Sequence, residues 1–113
     1  MYDTELQQLE QNIKQARKIA DLGESLERLY VNRDFKKVVS EGYFEQEAVR
    51  LVHLKADANM QSDEMQKSIL SQIDAIGSLS SYFNTLRIRS TMASNAIAND
   101  ENTREELLAE SIQ

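Results

Sequence analysis

Between residues 65 and 97 the chain places Met65, Ile69, Gln72, Ile76, Leu79, Phe83, Leu86, Ser90, Ala93 and Ile97 at steps that alternate between four and three. A strand would need a period of two. A 4/3 alternation held over more than four heptads is the seam of a helix that packs knobs into holes on another helix. Nothing interrupts such helices, because the chain has no proline and only three glycines, Gly23, Gly42 and Gly77. An interior proline costs a helix roughly 3 kcal/mol, so its absence permits very long helices. A β-rich fold of this length would need more turn residues. The seam predicts a helix over residues 63–98, capped by Ser62, with Asp63 and Glu64 at the positive end of its dipole. At 1.5 Å per residue such a helix runs about 54 Å. A globule of this size has a radius of gyration of about 13 Å. The helix therefore either folds back at Gly77 or belongs to an elongated molecule. Ile73 and Tyr82 widen the stripe, so more than one surface packs against it.

A second long helix is expected over residues 4–30. Leu6, Leu9, Ile13, Ala16, Ile19, Leu22, Leu26 and Leu29 form one stripe, and Gln8, Gln11, Gln15, Lys18 and Glu24 form a polar opposite face. Gly23 lies within the stripe, where glycine costs about 1 kcal/mol relative to alanine, and it marks a close helix crossing. Residues 33–56 form a corner of two short helices. The first, Arg33 to Ser40, is capped by Asn32 and closed by Gly42 in the left-handed conformation. Phe35, Val38 and Val39 give it the spacing of a core face. The second, Tyr43 to Lys55, buries Phe44, Ala48, Leu51 and Val52. The run KADANMQSDE ends it. Thr103 and Glu106 stand at capping-box spacing and predict a separate tail helix over residues 103–113. The expected fold is all-α, a single domain over residues 1–113: an elongated helical hairpin or bundle whose two long helices are joined by two short ones.

Chemistry has little to work with. There is no cysteine and one histidine, His53, on the helix that carries Glu45 and Glu47. A catalytic base or a metal centre needs groups converging from several elements, and the acidic residues match neither an EF-hand loop nor a Glu-x-x-His pair. No phosphate-cradling glycine loop and no nucleophile elbow occurs. No catalytic, cofactor-binding or metal-binding residue is assigned, no cofactor is expected, and the expected protein is not an enzyme. No apolar run approaches the roughly 20 residues of a membrane span, and the first residues carry acids rather than a basic leader. A soluble, unprocessed chain with no membrane partner is expected.

Charge is uneven. Residues 1–40 are neutral, with seven basic and seven acidic side chains, and residues 41–113 carry the whole net charge of −6. An acidic surface repels phosphate backbones. One local exception is the basic group Arg28, Arg33, Lys36 and Lys37, with Tyr30 and Phe35 between them. Basic residues interleaved with aromatics can grip phosphates and stack bases, which makes these four the candidate nucleic-acid contacts.

The run RDFKKVVSEGYFEQEAVRLVHLKAD, followed by MQKSILSQIDAIGSLSSYF and DENTREELLAE, looks like small helical proteins encoded by tailed bacteriophages. The resemblance covers residues 26–110 and lies in overall texture rather than in a motif. It implies a virion component or assembly factor, present in the host cytoplasm during assembly and then in the particle. A small terminase subunit is similar in size and helicity. Such subunits form rings through helical hairpins and place a DNA-binding module before them, whereas the first forty residues here are neutral. The leading expectation is a structural or assembly protein that docks on copies of itself or on other phage proteins, with Phe83, Leu86, Ala93, Ile97, Leu107 and Leu108 at the interface. The alternatives are a DNA-packaging adaptor using the basic group and a small inhibitor of a host protein.

Overall fold

The computed structural model describes residues 2–112. Of these, 96% are helical, and no strand occurs among the described residues. In chain order the elements are α1 (Tyr2–Val31), α2 (Arg33–Phe35), a π-helix (Lys36–Glu47), α3 (Ala48–Ala56), a 3-10 turn (Ala58–Met60) and α4 (Asp63–Ile112). The all-α architecture with two long helices packed on each other is the expected one. Internal contacts divide the chain into two compact units. One combines α1 up to Leu26 with α4 from Thr85 onward, and the other runs from Glu27 to Asn84. Met1 and Gln113, which the single-domain expectation included, lie outside the described residues.

In the first unit Ile13 and Leu26 of α1 and Leu86 and Ala93 of α4 are buried. Gly23 is buried with them and lies against Ser90; a Cβ at position 23 would overlap the Ser90 side chain. This is the close crossing that an otherwise unfavourable helix-interior glycine implies. The α1 stripe differs from the expected one: Leu22 and Leu29 are 50% and 41% exposed. Each step of three falls about 60° short of a full turn. Three such steps in a row, from Ile13 to Leu22, swing off the contact line. Packing instead follows Ile13, Ala16, Ala20, Gly23 and Leu26, all buried or half-buried.

The expected break before residue 103 does not occur, and α4 runs on to Ile112. Thr103 does not cap a new helix. Its hydroxyl donates to the Asn99 carbonyl one turn back (3.1 Å). With no glycine or proline in this stretch, the half-buried Ile97, Glu101, Arg104 and Leu107 extend the packed seam. Arg17 of α1 also pairs with Glu101 at 2.9 Å. Nor does α4 fold back at Gly77, which lies within the helix with nothing within 4 Å of where a Cβ would stand.

In the second unit Asn32 ends α1 and starts the next helix, accepting from the Phe35 N–H (2.9 Å). α2, the π-helix and α3 then follow without a gap, so the expected closure at Gly42 is absent: no glycine has positive φ. The expected helices fail here for a geometric reason. Phe35 and Phe44 are nine residues apart, which is 2.5 turns of an α-helix and would put them on opposite faces. An i→i+5 ladder makes about two turns in nine residues and brings both rings to one side. The half-buried residues Phe35, Val39, Tyr43, Phe44 and Ala48 recur at this longer period. Val38 (66% exposed) and Val52 (60%), expected in the core, face out.

Leu51, Ile69 and Ile76 form the centre of this unit, with Tyr43, Phe44, Ala48, Leu54, Met60 and Ile73 around them. Ile73 takes the inward position that the seam assigned to Gln72, which is exposed, and Met65 is exposed too. The turn after α3 is held by side-chain amides. The Nε2 groups of Gln61 and Gln66 both donate to the Lys55 carbonyl (3.0 and 2.9 Å), satisfying the end of α3. Asp57 caps the 3-10 turn through the Asn59 N–H (2.8 Å), and Ser62 caps α4 through the Met65 N–H (3.2 Å).

Candidate functional site

The basic group sits beside an aromatic cluster. Phe83 of α4 is its hub, with ring centroids 5.9 Å from Tyr30, 6.0 Å from Phe35 and 5.9 Å from Phe44. Tyr30 and Phe35 meet edge to face at 5.7 Å. Arg28, Arg33, Lys36 and Lys37 are all exposed, but the two aromatics between them are half-buried in this cluster. Base stacking needs an open ring face. The rings that would supply it pack against Phe83 instead, which leaves a cationic edge without a stacking platform.

The six residues expected at a partner interface fall in different environments. Leu86 and Ala93 are buried within the chain, and Phe83, Ile97 and Leu107 are half-buried. Leu108 is exposed. From Leu86 to Ile97 the 4/3 seam is thus largely closed within one chain, where Gly23 lets α1 come close against Ser90. An outward surface lies off this strongest periodicity. Ile88 and Met92 are 54% and 65% exposed on the side of α4 away from α1. The signal for it is in the sequence: from Ala75 to Asn99 only Arg87 and Arg89 are charged, in a chain with 28% charged residues.

His53 is exposed on α3. Nearby, Arg50 binds Glu47 through both guanidinium and carboxylate branches, Nε to Oε1 and Nη2 to Oε2, the latter at 3.2 Å. The hydrogen bond from Arg50 holds the Glu47 carboxyl below its ordinary range, and Glu47 in turn raises Arg50. A shallow recess of about 380 Å³, lined by Val38, Gly42, Tyr43, Gln46, Glu47 and Arg50, opens on the outer side of the π-helix. Its polar lining is this one ion pair with Gln46 and the Tyr43 ring, with no nucleophile–base pair among them. No group of three or more acidic or histidine side chains among the described residues could hold a metal ion. No helix among them is long and apolar enough to cross a membrane.

The chain has no significant match to a protein-family model, to a curated protein or to a solved structure.

Proposed function

We propose that this chain is a non-enzymatic structural or assembly protein of a tailed-bacteriophage particle. It acts by docking helix against helix on copies of itself or on other structural proteins, in the host cytoplasm during assembly and then in the virion. The observation that carries the reading is the two-faced character of α4. One face is closed by α1, and the other presents apolar Ile88 and Met92 to solvent with little charge around them. Large apolar side chains grouped on an outward face mark docking surfaces. The phage context is supported by the texture of residues 26–110 alone. The test is incorporation. A tagged chain expressed during infection should co-sediment with assembled particles or with a discrete assembly intermediate. Its absence from both overturns the reading.

A further inference from the structure

On α4, Thr85, Ile88, Met92, Ala96, Asn99 and Thr103 follow one another at steps of 3, 4, 4, 3 and 4. All six are exposed and uncharged. At 100° per residue they form one stripe, centred about 130° around the helix from Leu86, Ser90, Ala93 and Ile97. We infer that a second copy of this chain docks antiparallel on this stripe, about a two-fold axis near Ser94. The inference rests on the docking function proposed above and names its partner and register.

Three features select a second copy. The first is shape. In an antiparallel pair centred near Ser94, Met92 of each copy falls opposite Ala96 of the other, Ile88 opposite Asn99, and Thr85 opposite Thr103. Each large apolar side chain thus meets a smaller one, which is how knobs fill holes. The second is flanking charge. Arg89 and Asp100 are eleven residues apart, about three full turns, so they lie on the same flank of the stripe. The same axis brings Arg89 of each copy beside Asp100 of the other. Neither Arg89 nor Asp100 is ion-paired among the described residues. The third is self-compatibility. A two-fold interface sets a patch against itself, so a charged patch repels its own copy. The C-terminal surface of this −6 chain carries Glu101, Glu105, Glu106 and Glu110, whereas residues 90–99 hold no charge at all.

The experiment is sedimentation equilibrium on the full chain over a concentration series. The native chain should be dimeric. Ile88→Asp and Met92→Asp should each weaken the dimer by more than about tenfold, since a charge would be buried unpaired. Their circular dichroism should be unchanged, because both positions face solvent in the single chain. Arg89→Glu and Asp100→Arg should each weaken it by roughly tenfold through like-charge contact across both symmetric pairs. The double variant Arg89→Glu/Asp100→Arg should return to native affinity. Should an aspartate variant lose helix, the charge swap decides alone. A native chain that stays monomeric, or a dimer in which the swap restores nothing, overturns this interface. A dimer indifferent to all these changes also overturns it while leaving docking through another face standing. Absence from particles, in contrast, removes the functional reading itself.

Discussion

Gly23 of α1 and Ser90 of α4 stand so close that a methyl group at position 23 would occupy the space of the Ser90 side chain. This contact sets how near the two long helices come in the first unit, and it makes two glycines respond in opposite ways. Alanine gains about 1 kcal/mol over glycine in a helix interior, but overpacking a closed contact costs about 1–3 kcal/mol. Gly23→Ala should therefore destabilise the protein, lowering the urea midpoint. Gly77→Ala, with open space around it, should raise the midpoint by up to about 1 kcal/mol equivalent. If both substitutions stabilise, the close crossing is not real.

The aromatic cluster makes a claim about the π-helix. Phe83 holds Phe35 and Phe44 on one side, which only the longer helical period allows. Phe83→Ala should cost up to about 3 kcal/mol, against much less for the 55% exposed Tyr82. In double-mutant cycles by chemical denaturation, Phe35→Ala and Phe44→Ala should each couple to Phe83→Ala by more than about 0.5 kcal/mol. Strict additivity at Phe35 would mean that its ring lies elsewhere and that the segment is an ordinary α-helix.

The features legible in the sequence were those set by local rules. The long helices follow from apolar spacing and missing proline, and the caps at Asn32 and Ser62 from side chains that reach back to free N–H groups. The features set by long-range packing were not legible. The choice between Leu22 and Gly23 as the inward residue depends on what faces them, namely Ser90. The π-helix depends on Phe83, nearly forty residues further along, holding two rings that an α-helix would separate. The run around Thr103 reads as a new helix start. Its hydroxyl takes the alternative partner, the Asn99 carbonyl, once α1 supports the turn through Arg17 and Glu101. For the candidate surface, the strongest periodicity marks the seam that folding covers, and the uncharged outward stripe is distinguished from it only by the burial pattern.

The Glu47–Arg50 pair predicts a pH effect. Because the Arg50 hydrogen bond lowers the Glu47 pKa in the folded chain, folding releases protons there relative to the unfolded state. The resulting stability is fully present above the ordinary glutamate value of 4.5 and is lost as pH falls through the lower folded value. Arg50 is 57% and Glu47 32% exposed, so water screens the pair and the effect is small. The difference in melting temperature between the native chain and Glu47→Gln should shrink as the pH is taken below 4. A difference that grows on acidification would contradict the pairing.

The last prediction concerns nucleic acid. Arg28, Arg33, Lys36 and Lys37 give four positive charges on one exposed edge, enough for a few phosphate contacts in isolation. Glu27 and Asp34 stand among them, and the remaining chain carries enough acid to bring the net charge to −6. The rings of Tyr30 and Phe35, which would have to stack on bases, meet edge to face and both pack against Phe83. The expected outcome on a single-stranded or duplex DNA column is elution at or below physiological salt. Lys36→Glu with Lys37→Glu should move that elution little and leave the melting temperature within about 0.5 kcal/mol equivalent. Retention well above physiological salt that the double variant abolishes would reverse this conclusion. It would give the basic edge the role here assigned to the outward face of α4.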